Sequence, residues 1–403
     1  MRLNASLWQY FNSTPHRLFF LSGAIQLILP ILLWSFELVG RYTPLTTPLN
    51  TLVPATWAHA FIMLYGIFIF FILGFLMSIL PHWMKSKTID KEHYLTAVTW
   101  LNIGLFILEF SLFYNAPTIV SGCIIFLLGW TYSIALLYQV IKKAPVKNKS
   151  NEIILLLTLI MGAFGIIAYG NWLYTDSWLS MQLSFNIGFW LYLMPIFFTL
   201  SVIIDTRLAP KPSKTLKPNI SLWYFLTGCI GHFCLNELNY NEWLFLVDIP
   251  MAAVTLLYST RIGLHVKAKT RLSIALHMAY LWLFIGLVLF SIQSLVLLLT
   301  TQHILGNSAL HIINIGFFTS LIFITTTPAS LTKPLFVDNM KWKIFLGLQI
   351  TTAGYLGTVF LFDHNLLNHN LNLITAILWC ICCVLWLVHY AVNCLNSKAI
   401  LAN

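Results

Sequence analysis

The chain has 403 residues, of which 59% are hydrophobic and only 8% are charged, with a mean hydropathy of +0.82 and a formal net charge of +10. A soluble domain normally carries about 25% charged residues, so this composition excludes a water-soluble globular protein. The positive charge does not indicate a nucleic-acid partner, because the basic residues are spread between apolar segments instead of forming one patch.

Twelve apolar stretches are each long enough to cross the roughly 30 Å hydrocarbon core of a bilayer at about 1.5 Å per helical residue. They predict an all-α fold, a polytopic membrane helix bundle that forms a single domain over residues 1–403. In chain order, the predicted spans 1 to 12 cover residues 18–39, 55–80, 94–113, 117–141, 152–175, 178–204, 218–235, 241–262, 272–300, 306–327, 342–362 and 371–395.

The distribution of Lys and Arg predicts the orientation of these spans. Of the 22 basic residues, only Arg41, which follows span 1, falls on the side opposite the others. Cytoplasmic loops of membrane proteins are enriched in Lys and Arg, so both termini are predicted to be cytoplasmic. The lipid bilayer is therefore the partner that the sequence itself implies.

Ionisable side chains inside the spans are the candidates for function, because such groups are costly in lipid and usually face the bundle interior. Counting residues from the span ends places one group near the outer side, formed by His59, His232, His311 and Asp248. A second group, His277 and His389, lies near the cytoplasmic side. The two depths differ by roughly 15 Å if the core is ~30 Å thick. Metal–imidazole bonds are only ~2 Å long, so one metal cannot join both groups.

The outer group contains histidines on different helices, as heme binding by two imidazoles requires. Heme b held by protein nitrogen needs one or two neutral imidazoles, and two axial ligands must come from opposite faces and hence from different helices. His59 and His311 satisfy this at matching depth, and Asp248 is placed to orient the second ring nitrogen of a ligand. Interhelical hydrogen bonds or contact with interfacial water are the alternative roles for these histidines, and depth alone does not decide.

Five segments carry a family resemblance. They are HRLFFLSG (16–23), WAHAFIMLYG (57–66), MPIFFT (194–199), LHMAYLWLFIGLVL (276–289) and SALHIINIG (308–316). In this combination and order they resemble the NnrS-type membrane proteins, twelve-span bacterial proteins associated with nitric oxide stress and reported to carry heme and copper.

The resemblance implies a set of site residues. The ligand histidines of the family fall on His59, His277 and His311, of which His59 and His311 would hold the metal. Depth in the spans, not the resemblance, adds His232, Asp248 and His389 as residues that would orient a ligand or replace one. The resemblance adds Arg17, at the basic position of the family's span 1.

Two departures from the family pattern bear on the cofactor. Phe61 and Ile62 stand where the family has a second histidine and a glutamate. A copper site built from those residues would not survive here, whereas a single heme b on the remaining histidines would. Copper is therefore doubtful, and heme b is the expected cofactor.

The resemblance implies a bacterial inner-membrane protein in nitric oxide tolerance or associated respiratory redox chemistry, with no enzymatic reaction assigned. Two other functions stay open. The chain is alternatively a metal-depleted paralogue that serves as an accessory or structural subunit of a larger respiratory membrane complex. A transporter is the third possibility, although no two-fold repeat and no matched pair of broken helices is found.

Overall fold

The computed structural model describes residues 8–114, 116–208, 218–263, 270–326, 337–361 and 366–401. Regular structure in these ranges is helical, and they contain no strand. The predicted all-α class is therefore confirmed. The chain divides into two compact units, the first formed by Met1–Ile196, Thr326–Lys333 and Tyr390–Asn403 and the second by Phe197–Thr325 and Pro334–His389.

Helices make up most of the described ranges. In the first half they are α1 Pro15–Tyr42, α2 Ala55–Phe61, α3 Phe68–Trp83, α4 Lys91–Ser111, α5 Ala116–Lys143, α6 Ser150–Thr175, α7 Trp178–Asn186 and α8 Met194–Leu208. In the second half they are α9 Pro218–Glu237, α10 Phe245–Gly263, α11 Arg271–Thr300, α12 Ser308–Ile312, α13 Ser320–Thr325, α14 Asn339–Leu361 and α15 Leu366–Leu401.

Ten helical segments among the described residues are long and apolar enough to cross a membrane. The helices at predicted spans 7 and 11, α9 and α14, are present but do not belong to this set. A multi-pass membrane protein is thus supported, while the count of twelve spans and the cytoplasmic placement of the termini stay predictions.

Three of the spans contain a π-helical segment where the sequence predicts uninterrupted helix. These segments are π1 Ile62–Ile67 between α2 and α3, π2 Ile187–Leu193 between α7 and α8, and π3 Ile313–Thr319 between α12 and α13. The same three spans are the most deeply buried of the ten. π-turns inside α-helices often mark functional sites, and π1 and π3 follow directly on the turns that carry His59 and His311.

A π-segment shifts the backbone hydrogen-bond ladder, and side chains supply extra donors near the shift. Before π2, the Tyr65 hydroxyl donates to the Ser184 carbonyl at 2.6 Å. In π3, Thr319 Oγ1 donates to the Asn314 carbonyl at 2.9 Å, and Asn314 Nδ2 donates to the Leu310 carbonyl at 2.9 Å. Lipid offers no hydrogen bonds to the backbone, so these donors keep the carbonyls satisfied.

Helices α4 and α5 pack with their backbones in contact. A Cβ added to Gly122 of α5 would lie 2.6 Å from the Leu108 backbone nitrogen, and one at Gly129 would lie 2.7 Å from that of Leu101. Small residues allow such close approach between membrane helices. This close contact fixes the rotation of α4 about its own axis. In that orientation, Asn102 Nδ2 of α4 donates to Ser22 Oγ of α1 at 3.0 Å.

Candidate functional site

His232 on α9 and Asp248 on α10 form a buried pair in the second unit. His232 Nδ1 lies 2.7 Å from Asp248 Oδ1, and the two side chains are 1% and 0% exposed. A carboxylate oxygen only accepts, so Nδ1 carries the proton and, in the neutral ring, Nε2 keeps the lone pair. Carboxylates orient metal-binding histidines in this way.

His311 on α12 has an equivalent arrangement with a backbone acceptor. Its Nδ1 lies 2.8 Å from the Asn307 carbonyl oxygen, one turn earlier. The ring also packs against Tyr355 of α14, with centroids 5.6 Å apart. Because a carbonyl cannot donate, Nδ1 is the protonated nitrogen and, in the neutral ring, Nε2 keeps the lone pair.

His277 on α11 is held by Ser259 of α10. Its Nδ1 lies 3.0 Å from the Ser259 carbonyl oxygen and 2.8 Å from Ser259 Oγ, and the serine hydroxyl also reaches the His277 carbonyl at 3.1 Å. These contacts lock the ring onto the α10–α11 pair. The carbonyl contact again makes Nδ1 the donor and Nε2 the nitrogen with the lone pair.

Three histidines of the second unit therefore share one tautomer, with Nδ1 held by a protein acceptor. They are His232, His277 and His311. Metal-bound histidines almost always donate their other ring N–H to such an acceptor. In the described part of the chain, however, no three or more His, Cys, Asp or Glu side chains surround a common metal position. Each of the three rings thus keeps one ring nitrogen with a lone pair, and a porphyrin iron needs only one or two such imidazoles.

His59 lies on α2 in the first unit and is held by aromatic stacking. Its ring stacks on Trp34 of α1 with centroids 4.2 Å apart and planes 14° apart. The Arg41 guanidinium lies 5.3 Å from the Trp34 ring centre, and Arg41 Nε donates to Glu37 at 2.6 Å. Trp34 covers the face of the imidazole, whereas a metal would bind a ring nitrogen in the plane of the ring. The stacking on Trp34 is therefore compatible with metal binding by His59.

His389 on α15 contacts Asp338, just before α14. Its Nε2 lies 3.0 Å from Asp338 Oδ2, and Asp338 Oδ1 also accepts the Lys341 backbone N–H at 2.8 Å. Partial burial raises the pKa of Asp338, but these hydrogen bonds and the neighbouring positive charges outweigh it, so the pKa lies below its ordinary value. His389 here uses the opposite ring nitrogen from the other three histidines and helps anchor the start of α14.

Arg17 on α1 interacts with the residues that precede this helix. One guanidinium nitrogen donates to Ser13 Oγ at 2.8 Å, and the guanidinium lies 4.0 Å from the centre of the Tyr10 ring. These contacts tie the N-terminal turn to α1. They give Arg17 a structural role beside the ligand-orienting one that the family resemblance implies.

Several partners of these residues were not predicted from sequence. Trp34 and Tyr355 are aromatic residues in apolar helices, where the sequence pattern does not separate a stacking partner from a lipid-facing ring. Asp338 carried a usable signal, because an aspartate directly before a helix is a typical N-cap. Its contact with His389 depends on tertiary packing.

Nearly the whole chain matches one known family. The family model described as NnrS protein matches residues 10–397. None of the curated proteins matches the chain. The family match begins before α1 and ends within α15, so it confirms the resemblance seen in the five sequence segments.

Proposed function

Since the chain belongs to the NnrS family, we propose that it is a bacterial inner-membrane protein that binds heme b and acts in nitric oxide tolerance or associated respiratory redox chemistry. The observation that carries the heme proposal is the fixed tautomer of His311, whose Nδ1 donates to the Asn307 carbonyl. Such a contact raises the basicity of the ring and aims Nε2 at a metal.

Within the second unit, His311 is the residue proposed to hold the heme iron. The Asn307 carbonyl holds its tautomer, and Tyr355 packs against its ring. His277 is the second candidate, with Ser259 in the orienting role. In the first unit the candidate is His59, whose plane is set by Trp34.

Heme b, when bound, would supply an iron able to bind nitric oxide or to pass single electrons. The protein would supply the imidazole nitrogen, the orientation of its ring and a surrounding that excludes water. If one histidine holds the heme, we expect the protein to bind nitric oxide. If two histidines hold it, we expect the protein to transfer electrons.

The test is the heme content of purified variants. His311→Ala, His277→Ala and His59→Ala are compared with His93→Ala, which removes an exposed histidine bonded to Tyr132 at 2.7 Å. Heme per chain should fall in His311→Ala and stay at the wild-type level in His93→Ala. Equal heme content in all four variants would show that none of His311, His277 and His59 is a heme ligand.

The same preparation separates the proposal from the accessory-subunit alternative. A wild-type chain with no Soret absorbance and no iron would reject heme binding. If that chain also copurified with respiratory subunits in fixed ratio, the metal-depleted paralogue would become the better account.

A further inference from the structure

Glu109 is a buried carboxyl group on α4 that the proposed function does not use. Its side chain lies near the end of the helix, and the residue is only 5% exposed. Neither carboxyl oxygen has a hydrogen-bond partner among the described residues. Buried polar atoms are nearly always satisfied in folded proteins, so two unsatisfied oxygens on one side chain need an explanation.

The side chain that faces Glu109 is Gln26 on α1. Gln26 is also 5% exposed, and its Oε1 likewise has no hydrogen-bond partner among the described residues. Elsewhere on the same helix pair, the Asn102 amide nitrogen is hydrogen-bonded, since Nδ2 donates to Ser22 Oγ at 3.0 Å and to the Val98 carbonyl at 2.7 Å. The α1–α4 contact thus holds one hydrogen-bonded polar pair and one pair in which three oxygens, two of Glu109 and one of Gln26, have no hydrogen-bond partner among the described residues.

The ionisable groups of the neighbouring helices are committed to other contacts. On α1, Glu37 binds Arg41 Nε at 2.6 Å and the Leu49 backbone N–H at 2.6 Å. On α5, the Cys123 thiol donates to the Ile166 carbonyl at 3.9 Å. At the far end of α4, Lys91 donates to Asn12 at 2.9 Å. No cation in the described ranges therefore neutralises Glu109.

An ionised carboxylate in this position would be a buried charge without a partner, which membrane proteins avoid. A proton removes the charge and gives the carboxyl an O–H that can be donated to Gln26 Oε1, the amide oxygen that has no donor among the described residues. A metal cation fits less well, since hard cations take about six or more oxygen ligands and only three oxygens are available here.

We propose that Glu109 and Gln26 form a proton-binding site, in which the neutral Glu109 carboxyl donates a hydrogen bond to Gln26 Oε1. The site lies near the predicted outer end of span 3, so its proton exchanges with the outer side of the membrane. It is independent of heme binding, because it uses none of the histidines.

Labelling with dicyclohexylcarbodiimide tests the site directly. The acid O–H of a carboxyl adds across a C=N bond of this apolar reagent, with the proton transferred to nitrogen, so a protonated carboxyl in the membrane reacts and an ionised one does not. The full-length protein is treated in membranes at about pH 7, where an ordinary glutamate with a pKa of about 4.3 is ionised. The labelled residue is identified by peptide mass spectrometry.

We expect the label on Glu109 and not on Glu37, a buried glutamate of the same unit that is paired with Arg41. Labelling should fall about tenfold for each pH unit above its midpoint, following the protonated fraction. Glu109→Gln, which keeps the size of the side chain, should abolish the label.

Three results would overturn the proposal. Absence of label on Glu109 would show that the carboxyl is ionised, and equal labelling of Glu37 would show that the reagent does not report protonation. Protection of Glu109 by sodium or lithium at constant pH would identify a metal-cation site instead of a proton site.

Discussion

Removal of the His232 imidazole tests how strongly the buried Asp248 carboxylate depends on it. Asp248 is fully buried, its Oδ1 binds the ring at 2.7 Å, and its Oδ2 has no hydrogen-bond partner among the described residues. His232→Leu keeps a similar volume but leaves both oxygens without this donor. Breaking a buried pair costs about 3–5 kcal/mol, while hydrogen bonds between membrane helices reach only about 1.7 kcal/mol. We expect the free energy of unfolding to fall by about 2–4 kcal/mol.

His389→Leu is the matched control, because it removes the same kind of contact from a pair that is partly exposed. The His389 and Asp338 side chains are 15% and 35% exposed, and Asp338 keeps its bond to the Lys341 backbone N–H. Pairs of this kind are worth about 0–1 kcal/mol. The double variant His232→Leu with Asp248→Leu should regain most of the lost stability, since it leaves no buried charge.

The assay is equilibrium unfolding in mixed micelles with a rising fraction of denaturing detergent, followed by far-ultraviolet circular dichroism. A difference of at least about 1 kcal/mol between His232→Leu and His389→Leu is expected from the costs given above. Equal losses would refute the reasoning, as would a double variant less stable than His232→Leu alone.

The same unfolding assay tests three further contacts. Gly286→Ala should lower the free energy of unfolding by about 1–3 kcal/mol, because its added Cβ would overlap the Ile313 side chain of π3. Gly354→Ala should be nearly neutral, because its added Cβ would have no atom within 4 Å. Tyr65→Phe should cost about 1 kcal/mol through the lost 2.6 Å hydrogen bond, and Tyr192→Phe, whose hydroxyl has no hydrogen-bond partner among the described residues, should cost less. Burial raises the pKa of Asp338 but its hydrogen bonds lower it more, so its stabilisation is present above about pH 4 and is lost as pH falls through the lowered pKa. Asp338→Asn should therefore remove part of the acid-induced loss of stability.

Span positions followed closely from the apolar runs. Span 5, predicted at residues 152–175, corresponds to α6 Ser150–Thr175, and span 9, predicted at 272–300, to α11 Arg271–Thr300. Long apolar runs specify a membrane helix by length and hydropathy alone. The π-segments were not predictable in this way, because a segment that is apolar on every side carries no periodicity to distinguish a π-turn from an α-turn.

The residues alone predicted the candidate site as a set of depths, to which the family resemblance added ligand roles. Equal depth placed His232 and Asp248 in one group, and the structure brings them to 2.7 Å. Depth does not specify the rotation of a helix, so the stacking of His59 on Trp34 and the contact between His389 and Asp338 could not be derived. The tautomer of His311 also required the structure, because its acceptor is a backbone carbonyl that every residue possesses.

The most direct test of heme binding is a reduced-minus-oxidised optical spectrum of the purified wild-type protein, combined with iron and heme quantitation. The proposal predicts a Soret band and heme b bound to the chain, with the heme diminished in His311→Ala and retained in His93→Ala. A folded wild-type protein without Soret absorbance or iron would contradict it.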